Sequence, residues 1–144
     1  VVGGVNLPLA KLYLAELRLA QGRRDEAWGM FAGLREKLAR ETRHGRSLHA
    51  ALGLLAVAAD EGDWESFDES LDFARPLLDD HRAAGRDALR LAEEAARRAL
   101  GHDAPAQAAQ AWALARAQWE ALGVQAEIDR VRAEQARAEA LAAG

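Results

Sequence analysis

The stretch from Leu19 to Phe31, LAQGRRDEAWGMF, places a glycine between two segments that have the apolar spacing of helices. Gly22 ends the first segment, because glycine adopts positive φ at little cost and often follows a helix. Ala27 comes five residues later, and Phe31 lies one helical turn beyond it. This order predicts two antiparallel helices that cross closely at Ala27, with Ala15 opposite it and Phe31 filling the space where they diverge.

Glycines that end helical segments recur at regular intervals along the chain. Glycines recur in pairs, and each pair maps onto the next by a shift of about 40 residues: Gly22 and Gly45, Gly62 and Gly85, Gly101 and Gly123. Between them, apolar residues at i, i+3 and i+4 predict helices. The predicted helices span 7–21, 24–43, 47–60, 64–84, 86–100, 104–122 and 124–141. Because runs of β-branched residues are missing, we expect an all-α fold.

Short polar residues and prolines mark the predicted helix ends. Four residues are predicted N-caps, since their side chains accept hydrogen bonds from first-turn N–H groups: Asn6, Ser47, Asp63 and Asp103. Pro8 and Pro105 fall in first turns, where a missing N–H costs little. Pro76 falls inside the fourth helix and predicts a kink there.

The crossing positions recur in each unit. The second unit has Leu55, Phe67 and Leu71 at the spacing of Ala15, Ala27 and Phe31, and the third has Ala96, Ala108 and Trp112. This resembles the tetratricopeptide repeat, W-x2-L-G-x2-Y, then A-x3-F, then P. The first unit matches it with Lys11, Leu14, Ala15 and Arg18, then Ala27 and Phe31. The second unit is degenerate, the terminal proline is absent, and the period exceeds the usual 34 residues.

The resemblance implies a right-handed α-solenoid of three antiparallel helix pairs and a capping helix. Its repeats would span 7–45, 47–85 and 86–123, with the cap at 124–141, all in one domain over 1–144. The long period resembles arrays at the C-terminal end of bacterial signalling ATPases, transcription regulators and Ser/Thr kinases. Because the chain begins VVGGVN without Met, we expect a fragment of a larger protein. A plain antiparallel bundle and HEAT-like repeats are the structural alternatives.

In this family the first helix of each pair lines a concave surface that binds peptides or partner domains. The residues expected to project from that surface are Leu9, Leu12, Glu16, His49, Leu52, Ala56, Arg90, Glu93 and Arg97, with Leu19 and Asp60 in the same rows. The surface would grade from apolar to basic along the array, which suits a segment with apolar anchors and an acidic end. The alternative is a regulatory or sensor segment of a bacterial signalling protein, acting on its own chain or binding a small effector.

Composition excludes several other classes. The absence of cysteine excludes disulfides and thiolate zinc sites, and no segment is basic enough for nucleic acid or apolar enough to span a membrane. No catalytic or phosphate-binding motif is present. The run DDH at 79–81 is not a metal motif, because consecutive helical residues point about 100° apart. We therefore expect a cytoplasmic, non-catalytic protein without cofactor or metal, binding a protein or peptide as a monomer or weak dimer.

Two further segments have alternative interpretations. The stretch DEGDWESFDESLD at 60–72 contains carboxylates but no basic residue, and is either a solvated face or a docking patch for a basic partner. Trp112 and Trp119 are predicted core residues, with Trp119 closing onto the last helix. That last helix has Val124, Ile128 and Val131 on one face, which favours a cap over a coiled-coil dimer.

Overall fold

The computed structural model describes residues 7–41, 44–79 and 86–144. These residues form seven helices and no strand, which confirms the all-α prediction. The helices are α1 (Leu7–Ala20), α2 (Arg24–Arg40), α3 (His44–Glu61), α4 (Trp64–Asp79), α5 (Arg86–Gly101), α6 (Pro105–Leu122) and α7 (Gln125–Ala143). Helix α3 begins before the predicted boundary, so Gly45 is not a stop and Ser47 is not an N-cap. Asn6 and Gly85 lie outside the described residues.

Positive φ angles close the short turns between consecutive helices. Gly22, Gly62 and Gly123 have φ of 78°, 72° and 72°. After each, the next N–H returns to a carbonyl five residues back, as from Asp63 to Ala58 at 2.9 Å, which satisfies an end carbonyl of the helix. Between α5 and α6 this role falls to Asp103, with φ of 57°. The predicted stop at Gly101 and the predicted N-cap at Asp103 were therefore wrong.

The predicted N-cap at Asp63 is confirmed. One carboxylate oxygen of Asp63 accepts the backbone N–H of Ser66 at 3.2 Å, and the other accepts its hydroxyl at 2.7 Å. These two bonds hold the pKa of the Asp63 carboxyl below its ordinary value, and the bond from the Ser66 hydroxyl has the larger effect. The cap begins α4, which continues through Pro76 to Asp79.

Helix α3 lies at the centre of the packing. It contacts α1, α2, α4 and α5, whereas α6 packs between α5 and α7. All nine predicted crossing residues are buried: Ala15, Ala27, Phe31, Leu55, Phe67, Leu71, Ala96, Ala108 and Trp112. They belong to one apolar core that draws side chains from all seven helices. The spacing of small and large residues thus predicted which helix faces are buried.

The contact between α2 and α3 is especially close. A Cβ atom added to Gly53 on α3 would lie 2.3 Å from the ring of Phe31 on α2. A side chain at position 53 would therefore have to displace the Phe31 ring, and glycine lets the two helices meet without that cost. Phe31 itself is fully buried, and this contact holds α2 close to α3.

The last helix packs along α6. Ile128, Val131 and Ala138 of α7 are buried, and Leu141 near its end is exposed. This position agrees with a helix that covers the apolar side of α6. Among the described residues, none of the helices combines the length and apolar character needed to cross a membrane.

Candidate binding groove between α1 and α5

Helices α1 and α5 enclose a groove of about 610 Å³. One wall comes from α1, where Tyr13 and Leu17 are 38% and 49% exposed. The other wall comes from α5 and is mainly charged. The charged lining residues are Glu16 on α1 and, on α5, Arg90, Glu93, Glu94, Arg97 and Arg98. The groove is therefore apolar on one side and polar on the other.

Glu16 joins three helices at one carboxylate. Its Oε1 lies 3.2 Å from Nη2 of Arg90 on α5, and its Oε2 lies 3.0 Å from Nε2 of His49 on α3. The edge of the His49 ring meets the ring of Tyr13, with centroids 5.9 Å apart. His49 is buried, so it does not face the groove. It positions the Glu16 carboxylate through their hydrogen bond.

Glu93 is the more enclosed carboxylate. It accepts hydrogen bonds from Arg97 at 3.2 Å, from the indole N–H of Trp119 at 3.0 Å and from Arg130 of α7 at 2.9 Å. Burial alone raises the pKa of Glu93, but the bonds from Arg130 and Trp119 and the charges of Arg130 and Arg97 outweigh it, so the pKa lies below its ordinary value. The carboxylate thus stays charged and fastens α7 to α5.

Two arginines of the groove, Arg90 and Arg97, are more exposed than the carboxylates that hold them. The Arg90 and Arg97 side chains are 66% and 54% exposed, whereas the Glu93 side chain is 7% exposed. The Arg97 guanidinium also lies over the ring of Trp112, 5.6 Å from its centroid. A molecule entering the groove would therefore meet the guanidinium groups of Arg90 and Arg97 before the carboxylates of Glu16 and Glu93, although equal numbers of acidic and basic residues line the groove.

The structure brings four of the nine predicted site residues into the groove lining: Glu16, Arg90, Glu93 and Arg97. Leu9 is half-buried and does not line it. Whether any of the nine binds a partner stays a prediction.

The predicted projection of Leu12, Leu52 and Ala56 is wrong, because all three are buried. Leu12 lies three residues from Ala15, and helical residues three apart share a face. Leu52 and Ala56 lie on α3, whose sides are covered by four helices. His49 on α3 is buried for the same reason, and Leu19 on α1 is buried as well.

Tyr13 and Leu17 line the groove but were not among the predicted site residues. Together with Glu16 and Ala20 they form an i, i+3, i+4, i+7 row on α1, which is one helical face. The helical spacing could therefore have identified this face, because it lies next to the buried row formed by Leu12, Ala15 and Leu19.

The acidic stretch 60–72 is partly neutralised within the chain. Asp60 pairs with Arg98 at 2.6 Å and with Arg24 at 3.6 Å. Glu69 pairs with Arg35 of α2 at 3.0 Å. These contacts join α3 and α4 to other helices, so part of the run has a structural role. They leave the docking of a basic partner untested.

Within 7–41, 44–79 and 86–144, no group of three or more His, Cys, Asp or Glu side chains is placed to hold a metal ion. The DDH run at 79–81 lies outside the side chains that the structure describes. No known protein family matches the chain, and no curated protein or solved structure is detectably similar to it. A functional assignment therefore depends on the geometry of the molecule itself.

Proposed function

We propose that this chain is a non-catalytic protein-interaction module built as a tetratricopeptide-like solenoid. The packing order supports this proposal, since α3 lies between α1 and α5, while α2, α4 and α6 each follow one of these three helices in a short turn. A right-handed stack of three helix pairs with α7 as its cap would have these neighbours. The row α1–α3–α5 would then form the inner, ligand-facing layer.

The observation that carries the proposal is the two-sided groove between α1 and α5. Tyr13 and Leu17 offer an exposed apolar wall, and exposed aromatic side chains are typical of binding surfaces. On the opposite wall Arg90 and Arg97 are held by carboxylates, so less side-chain freedom is lost when they bind. The groove suits a peptide segment with an apolar residue toward α1 and carboxylate or carbonyl oxygens toward α5.

The sequence-based hypothesis of an apolar-to-basic gradient along the array is thereby revised. Leu12 and Leu52 are buried and cannot form its apolar end. We infer instead that the gradient runs across the groove, from Tyr13 and Leu17 on one wall to Arg90 and Arg97 on the other. A ligand would lie along the two helices and contact both walls at once.

Peptide selection tests the proposal. A displayed random-peptide library is selected on the immobilised chain, and enriched peptides are measured by fluorescence anisotropy against Leu17→Glu and Leu141→Glu. Both leucines are exposed, at 49% and 63%, but only Leu17 lines the groove. We expect Leu17→Glu to weaken binding about tenfold or more, because a charge would replace an apolar anchor, and Leu141→Glu to bind like the wild type.

Arg90→Glu should weaken the same peptides, most strongly those with an acidic residue. Circular dichroism confirms that each variant is folded. A selection that enriches no peptide, or peptides that bind wild type and Leu17→Glu equally, would exclude the groove as a peptide site.

A further inference from the structure

A second groove lies between α1 and α2, on a different face of α1. Its volume is about 430 Å³, and its apolar lining comes from Leu14, Met30 and Leu34. At about 100° per residue, Leu14 points away from both the buried row at Leu12 and the groove row at Tyr13. Leu14 is 40% exposed, so this groove is an apolar surface that the described residues leave uncovered.

Two glycines of α2 line this second groove and leave its surface without side chains at their positions. Gly29 and Gly33 lie one turn apart inside α2 and line it. A Cβ atom added to either would meet nothing within 4 Å, whereas one added to Gly53 would strike Phe31. Glycine inside a helix is destabilising relative to alanine, and no contact within the described chain explains it at positions 29 and 33. Bare backbone of this kind allows another backbone to approach closely.

Both lysines of the chain line the same groove. Lys11 lies on α1 and Lys37 on α2, one on each wall. In the part of the chain that the structure describes, neither ammonium has a carboxylate within ion-pair distance. All five arginines between residues 7 and 41 do have one: Arg18, Arg23, Arg24, Arg35 and Arg40. The groove therefore combines an apolar floor with two uncompensated positive charges.

From these three observations we infer that the α1/α2 groove docks an amphipathic helix of a partner protein, with acidic residues on both flanks of its apolar stripe. Apolar side chains at i, i+3 and i+7 would pack on Leu14, Met30 and Leu34, and Met adapts readily to different shapes. The glycines let the partner helix lie close to α2. Lys11 and Lys37 then face the acids on its two sides. This surface is separate from the α1/α5 groove and does not depend on the function proposed for it.

Two probe peptides of about 18 residues, long enough to form a helix when stapled, test the inference. They share one leucine stripe and carry either Glu or Lys on both flanks. Fluorescence anisotropy with the intact chain should show the Glu peptide binding about tenfold more tightly at low salt, since complementary charges favour the matched pair. The Lys11→Glu/Lys37→Glu variant should prefer the Lys peptide instead.

The matched control is Arg132→Glu/Arg137→Glu on α7, which changes the net charge equally at a distant surface. It should keep the preference of the wild type. Gly33→Leu, which places a side chain in the groove, should remain folded and weaken the Glu peptide about tenfold. Equal binding of the two peptides, no binding of either, or no reversal by the lysine variant would overturn the inference. So would a wild-type dimer in light scattering that Leu14→Glu converts to a monomer, because a second copy would then cover the groove.

Discussion

Helices α1 and α3 would occupy corresponding positions in the first two proposed repeats, yet they differ in burial. Every side chain of α3 from 47 to 59 is buried, whereas only Pro8, Leu12, Ala15 and Leu19 of α1 are. Both helices are rich in alanine and leucine, so composition does not explain the difference. Helix α3 packs against four helices, whereas α1 packs mainly against two, α2 and α3. Exposure here depends more on how many helices surround a segment than on its composition.

The strongest test of this comparison uses two leucines that correspond by the 40-residue shift. Leu54 on α3 is fully buried, and Leu14 on α1 is 40% exposed. Leu54→Ala should lower the free energy of unfolding by about 2–5 kcal/mol, because it removes buried methylene groups and leaves a cavity. Leu14→Ala should change it by only about 0.5 kcal/mol. Urea unfolding followed by circular dichroism measures both, and equal losses would refute the difference in burial.

A smaller loss in the free energy of unfolding is expected when the Glu93 or Glu16 carboxylate is replaced by an amide. Glu93→Gln should cost about 1.5–3 kcal/mol at pH 7, because it weakens charged hydrogen bonds in an enclosed site. Glu16→Gln should cost less, since one of its two partners, Arg90, is largely exposed. The comparison again uses urea unfolding, at pH 7 and at lower pH.

The effect of Glu93→Gln should depend on pH with a defined sign. The folded state lowers the pKa of Glu93 below its ordinary value of 4.5. Its contribution is therefore complete above that value and is lost as the pH falls through the lowered pKa. The difference between wild type and Glu93→Gln should shrink in acid, and a difference that grows below pH 4.5 would contradict the assigned hydrogen bonds.

The smallest expected effect is a gain in stability, which comes from a glycine substitution in α2. Gly33→Ala on α2 should stabilise the chain by up to about 1 kcal/mol, because alanine is the better helix former and the site is open. Gly53→Ala on α3 should instead destabilise it, since its methyl group meets the Phe31 ring. Thermal melts of the two variants should move in opposite directions. Movement in the same direction would show that the glycines do not differ in their surroundings.

Local sequence predicted the helices and their buried crossing faces well. Apolar periodicity and the glycines at 22, 62 and 123 are properties of neighbouring residues, and the structure confirms them. The groove was harder to predict because it depends on which helices lie side by side. Leu52 was placed on the surface although α3 has no open side there. The pairing of Glu16 with His49 and Arg90 joins residues from three helices, and no local pattern indicates it.

The enclosure of α3 also determines how the molecule can open. Its backbone amides between 47 and 59 lie beneath side chains that contact four other helices. A fluctuation that admits water to them must therefore separate several helix contacts together, and local opening approaches the free energy of global unfolding. The outer helices α1 and α7 have fewer neighbours and can fray alone. Slow hydrogen exchange would then be concentrated in the middle of the chain, and the molecule would loosen from its two ends.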